Sequence, residues 1–350
     1  MNSPSVPRKA AHAPPAALHE TLQRQRRSAR WHALEYLFWC LPVLAYFLFP
    51  GNYLLLSQIA ITGLFALSLD LIFGYAGIIS LGHAAFFGVG AYTVGLLGLR
   101  GMGDPLTGLL LAALFAAVLG FLSSFLVLRG SDLARLMVTL GVALMLYELA
   151  NKFTRITGGV DGIPGLEIKP ILGLFEFDMY GRVGYLYAVA VLFLLFWLAR
   201  RIVHSPFGQS LRGIQMNAQR MPALGVPVHR RLVAVYTLGA AYAGVAGAVL
   251  AQTNQFVSLS VLGFENSADL LLILILGGTG RLYGGLIGAI VFIVAKHLLS
   301  DINPQYWQFW LGLALVLLVM FARGGILGTA AQWLERRRER ARQRGQELAP

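Results

Sequence analysis

Residues 106–128 read LTGLLLAALFAAVLGFLSSFLVL, with no charged side chain in 23 positions. Crossing a hydrocarbon core of about 30 Å takes roughly 20 helical residues, so this stretch is long and apolar enough to span a bilayer. Residues 186–198 (LYAVAVLFLLFWL) and 232–252 are equally uncharged, and comparable runs recur from 36 to 321. No soluble core buries so many wholly apolar segments. The chain therefore reads as an all-α polytopic membrane protein.

Composition agrees. The chain is 57% hydrophobic and 13% charged, with a mean hydropathy of +0.66, outside the range of a soluble or disordered chain. Its 40 glycines suit membrane helices that approach closely. The short alternating strands of a transmembrane barrel are missing. A single cysteine, Cys40, precludes an intrachain disulfide.

About ten spans are expected, near 32–50, 53–75, 79–99, 106–128, 133–153, 183–199, 232–252, 268–279, 283–299 and 306–321. Some are broken or re-entrant. Residues 1–31 form a basic tail expected to be disordered, 32–323 the membrane domain, and 324–350 a second basic tail. The net charge of +12 clusters beside the spans, which points to orientation rather than nucleic acid. The loop 200–231 holds Arg200, Arg201, Arg212, Arg220, Arg230 and Arg231 with no acid, whereas 253–267 holds Glu265 and no base. Even parity then places both termini and the 200–231 loop in the cytoplasm. The stretch 332–346, rich in Gln, Glu and Arg, reads as a solvated or headgroup-facing helix.

Three places interrupt the apolar pattern. Irregular backbone at membrane depth survives only when buried in protein or lining a cavity. The first runs over 74–92, with Gly74, Tyr75, Gly77, Ser80, Gly82, His83, Phe86, Gly88, Gly90 and Tyr92, and Asp70 lies just upstream. These residues either line a translocation path or gate, or Asp70 and His83 simply cap and bridge the break. The second, TGGVDGIPG at 157–165, is a structured turn or an external contact. The third, with Gly277, Gly278, Gly280 and Gly284, reads as a tight cytoplasmic hairpin with Arg281 at its tip. A nucleotide-binding loop is excluded there, because no strand precedes it and no Gly-Lys-Ser/Thr follows.

Metal-binding and Ser/His/Asp spacings are absent. Without a phosphate-binding lysine motif the chain holds no ATP by that route, and few ionisable groups lie within its spans. Active transport would then draw on a separate motor. The loop 205–225 is the candidate contact. Ser205 before Pro206 is a good helix start, Leu211, Ile214, Ala218 and Met221 recur at helical spacing, and Gly225 and Pro227 stop the segment. Such a helix either docks in a partner's groove or lies on the membrane surface.

These segments together resemble the branched-chain amino acid ABC transporter permeases, in particular the longer of their two permease subunits. The run LSLDLIFGYAGIISLGHAAFFGVGAYT carries the resemblance most strongly. TGGVDGIPG, SPFGQSLRGIQMNAQRMPALGVP, LILGGTGRLYGGLIGA and LVLLVMFARGGILG follow in the same order, and the likeness covers 54–328. It implies a multi-pass permease of the bacterial inner membrane that is not itself an enzyme. It also implies a second homologous permease, two cytoplasmic ATP-binding subunits, and a periplasmic or lipoprotein solute-binding protein. ATP and Mg would sit on the partner subunits, with no cofactor in this chain. The ATPase-coupling helix would be carried by Ser205, Pro206, Phe207, Gly208, Leu211, Arg212, Ile214, Asn217, Arg220, Leu224 and Gly225. Two departures stand out: Met216 and Ala218 replace acidic residues of many relatives, and Lys296 and His297 stand where relatives often have acids. Family members carry leucine, isoleucine and valine, and relatives carry other amino acids, urea, short amides or aromatic acids. A self-sufficient channel, an ion-coupled carrier, or a membrane enzyme using Asp70 and His83 are the competing classes.

Overall fold

A computed structural model describes residues 33–171, 173–178, 180–321 and 324–329. The two basic tails expected at 1–31 and beyond 329 lie outside them. All ten apolar segments fall on helices. They are α1 (Ala33–Leu48), α2 (Tyr53–Ala76), α3 (Ala84–Leu99), α4 (Pro105–Val127), α5 (Asp132–Lys152), α7 (Arg182–His204), α9 (Val228–Asn254), α10 (Phe264–Gly277), α11 (Leu282–Ile302) and α12 (Trp307–Phe321). Short helices α6 (Thr154–Thr157) and α8 (Pro206–Met216) lie between them. Six helices among the described residues are long and apolar enough to cross a membrane: α2, α4, α5, α7, α9 and α11. Helix α1 falls in a separate unit and is a 16-residue helix with Pro42 inside.

The helix ends follow local chemistry. Asp104 caps α4, its Oδ2 accepting from the Thr107 N–H at 2.9 Å and the Thr107 hydroxyl at 2.5 Å, with Pro105 in the first turn. Several expected bounds move, the start of the eighth segment among them, at Phe264 rather than 268. The third span begins at Ala84 rather than 79, because Gly77 turns left-handed (φ 72°) and breaks the helix before it can restart. Helix α7 runs on to His204, so Arg200 and Arg201 belong to its last turns. Helix α9 already begins at Val228.

The core sits where α2 and α9 meet. Most residues of both are buried, whereas α5 buries only Thr139, Ala143 and Ala150 and lies at the periphery. Helix α9 packs against α4, α3 and α2, while α2 also meets α11 and α7. Lipid is as apolar as leucine, so close packing rather than water exclusion must hold these helices together. Gly90 and Gly244 show how: a Cβ on Gly90 would run into the Gly244 carbonyl.

The 157–165 segment is a structured turn joined to a distant one. Strand β1 (Ile163–Pro164) pairs antiparallel with β2 (Phe256–Val257), Ile163 facing Val257 and Pro164 facing Phe256. Leu166 donates to the Gln255 carbonyl at 3.2 Å and Lys169 to that of Gly103 at 3.0 Å. This ladder marks one face of the bundle, and α8 marks the other.

Candidate functional site

Residues 77–83 form irregular backbone at the end of α2, buried as membrane depth demands. Several of its polar groups are tied to neighbouring helices, while His83 Nδ1 is buried without a hydrogen-bond partner. The Ile78 N–H reaches the Ile72 carbonyl at 3.2 Å. The Leu81 N–H donates to Thr139 Oγ1 of α5 at 3.2 Å, and the Ala84 N–H to Ser267 Oγ of α10 at 2.9 Å. His83 and Ser80 are fully buried. His83 Nε2 pairs with Ser68 Oγ at 2.8 Å, so the imidazole bridges the break back to α2. The Tyr236 hydroxyl faces those of Ser80 and Ser123.

Asp70, also fully buried, lies nearly two turns before the end of α2. Its Oδ1 accepts from the Gly280 N–H at 2.8 Å, so the carboxyl group braces the 277–284 glycine hairpin and not the 77–83 break. Gly74 leaves room for this: a Cβ there would strike the Asp70 carboxylate and the Gly280 amide. In the hairpin, Gly278 (φ 108°) and Gly280 (φ 73°) adopt backbone that favours glycine. Gly277 and Gly284 lie so close that a Cβ on Gly277 would meet the Gly284 carbonyl. Arg281 donates to the Leu327 carbonyl, so residues 324–329 fold back onto the hairpin.

Helix α8 reaches the same place. Ser205 caps it, Oγ accepting from the Gly208 N–H at 3.4 Å. It ends at Met216, earlier than the periodicity to Met221 predicts. Asn217 Oδ1 takes the Gln219 and Arg220 N–H groups, each at 3.1 Å, and so starts a turn instead. A short 3-10 turn, Pro222–Leu224, then closes on left-handed Gly225. The apolar stripe points inward: Gly208, Leu211 and Ile214 are buried against α2, α7 and α9. Met216 and Leu224 are exposed instead, at 87% and 74%, alongside exposed Asn217 and Arg220. Arg212 lies over the Tyr75 ring, 5.0 Å from its centroid, and hydrogen-bonds the Tyr75 hydroxyl, which also meets the Leu282 backbone. Arg231 at the start of α9 lies over Phe207 at 5.2 Å. Tyr75 thus joins α8, the end of α2 and the start of α11 at one point.

Towards the ladder face, a cavity of about 260 Å³ opens between α2, α9, α10 and α11. Phe65 and Phe87 line it and touch each other, with ring centroids 4.4 Å apart. Beneath them, Phe65 stacks on His83 at 5.6 Å, and His83 meets Phe86, which meets Tyr236. The cavity therefore ends on an aromatic plug built from the buried break. Of the residues expected to line a path, the structure gathers His83 and Phe86 in this plug with Ser80 next to it. Asp70, Gly74 and Tyr75 sit together at the hairpin instead. Gly88 packs on Leu262, Gly82 on Thr139 and Gly77 near Gln215. Tyr92 lines a different groove, about 610 Å³, between α3 and α4. Sequence reasoning passed over Phe65, Phe87 and Tyr236, which carry no signal in an apolar run, and the cavity residues Gln58 and Thr62, which do interrupt one.

Comparison with known proteins agrees with this architecture. The family model for the branched-chain amino acid transport system permease component matches residues 53–334. The high-affinity branched-chain amino acid transport system permease protein LivM of Escherichia coli (strain K12) is 32% identical over 285 residues, covering 75% of this chain and 66% of that protein. The protein of the same name from Salmonella typhimurium has the same identity and coverage. The ribose import permease protein RbsC of Bacillus subtilis (strain 168) is 28% identical over 264 residues, covering 70% of this chain and 76% of that protein. The chain thus spans just under two thirds, 66%, of the length of the two LivM relatives. No solved structure matches it significantly.

Proposed function

The chain belongs to the branched-chain amino acid transport permease family, and on that premise we propose that it is the membrane subunit of an ATP-driven importer of branched-chain amino acids. In this reading it sits in the bacterial inner membrane with both termini and α8 in the cytoplasm. It works beside a second permease, two ATP-binding subunits that carry ATP and Mg, and an external solute-binding protein. The observation that carries the reading is the junction at Tyr75. A motor subunit pressing on the exposed side of α8 would move Arg212, and through Tyr75 the end of α2 and the start of α11. The same helix α2 carries Ser68, which holds the plug histidine, and Phe65 of the plug itself. Displacement of α8 is thereby delivered to the barrier that separates the cavity from the motor side.

The buried stripe of α8 is needed for folding, so docking is tested on its exposed side. Arg220→Glu combined with Leu224→Asp is expected to abolish co-purification of the ATP-binding subunits and leucine uptake, with normal membrane insertion. Arg212→Ala is expected to keep the subunits bound and hydrolysing ATP while uptake falls by about tenfold, the loss of one charged hydrogen bond. Undiminished uptake by both variants would refute the coupling role of α8.

A further inference from the structure

The cavity above the plug is lined by two opposite charges. Asp269 of α10 and Lys296 of α11 both line it and act electrostatically on each other. They form no direct contact: the ion pairs of the described residues lie elsewhere, at Arg135–Asp132 and His297–Asp301. Lys296 Nζ rests 5.2 Å over the Trp307 ring, which orients the ammonium. Gln58 and Asn266 add amide groups, and Ile61, Ile273 and Phe292 give an apolar wall running down to Phe65 and Phe87.

We propose that this cavity is a binding site for zwitterionic α-amino acids with apolar side chains, Lys296 taking the carboxylate, Asp269 the ammonium, and the wall the side chain. Two opposite charges facing one space at a separation beyond direct pairing match the two ends of a zwitterion. A ligand with only one charge leaves the other protein charge unpaired in a partly enclosed site, which costs more than the lost contact. The same pair therefore selects against fatty acids and amines of identical shape. The site rests on the import function proposed above and deepens it: this chain itself inspects the solute before the plug opens. The plug beneath, Phe65 against Phe87 and His83, is what the bound side chain would touch.

The test uses the assembled transporter in vesicles, with Cys40→Ser and Ser260→Cys placing a single thiol on the cavity wall. A membrane-impermeant thiol reagent then reads occupancy. L-leucine is expected to slow labelling by about tenfold, as expected of one or two charged hydrogen bonds. Isocaproate, which lacks the ammonium, and isoamylamine, which lacks the carboxylate, are expected to protect little. Lys296→Gln and Asp269→Asn are each expected to remove the protection by leucine, and Lys296→Arg to keep part of it. Leucine import by the wild-type complex without protection of the thiol would overturn the site and leave the import function standing. Equal protection by all three ligands would overturn it as well. Protection by leucine in a complex that imports no amino acid would support the site and sink the transport reading. Because the labelling arm leaves both charges intact, a variant that fails to fold does not decide the outcome.

Discussion

At the scale of single residues, Asp70 shows how a buried carboxyl group can hold a fold together. It is fully buried and spends Oδ1 on one backbone amide 210 residues away. Asp70→Ala strands that amide, a loss of about 1–3 kcal/mol. The expected result is a lower melting temperature of the detergent-purified protein, with Asp70→Asn much closer to wild type because its amide oxygen still accepts. Gly74→Val drives a methyl group into the carboxylate and the Gly280 amide. Overpacking of this kind costs about 1–3 kcal/mol or more, and fluorescence-detected size exclusion of the variant should show aggregation. Little of this was legible in the sequence. Asp70 was visible as a charge in an apolar span, but its partner was not, since nothing local ties 70 to 280. His83 was visible in the same way, whereas its partner Ser68 looked like any membrane serine.

At the scale of elements, the ten apolar segments were legible as helices because long uncharged runs have few alternatives, and six of them, among the described residues, are long enough to cross a bilayer. The ends were less so. Helix α3 starts five residues late because Gly77 and the close approach of Gly82 to Thr139 hold 77–83 irregular. Two-residue strands such as β1 and β2 have no period to detect. In α8 the Ser205–Pro206 start was read from sequence and is present, while the direction of its apolar stripe needed the neighbours. Ser205→Ala is expected to cost about 1 kcal/mol, measured as earlier thermal loss of α8 protection in hydrogen exchange. The α4 cap predicts a pH effect. Bonds from the Thr107 hydroxyl and then the Thr107 N–H hold the Asp104 carboxyl below its usual 3.8. A lowered folded value means its contribution is complete above the unfolded range of about 4 and fades as pH falls through the folded value. Between pH 6 and pH 3 the wild type should therefore lose more thermal stability than Asp104→Asn.

At the scale of the whole molecule, orientation becomes a measurable claim. With Cys40 replaced by serine, a cysteine at Asp161 or Asp301 is expected to react with an impermeant reagent from the periplasmic side. A cysteine at Gln219 should react only after the membrane is opened. The reverse pattern would invert the topology and with it the side on which α8 works. Helix α2 unites the parts described above. Gln58 stands at the cavity, Phe65 and Ser68 at the barrier, Asp70 at the hairpin and Tyr75 beneath Arg212. Its 24 residues contain no proline, and at the helical rise they reach about 36 Å. It runs as one unbroken helix from Tyr53 to Ala76. On the import function proposed above, that single continuous strut would tie the opening of the passage to events on the far side of the bilayer.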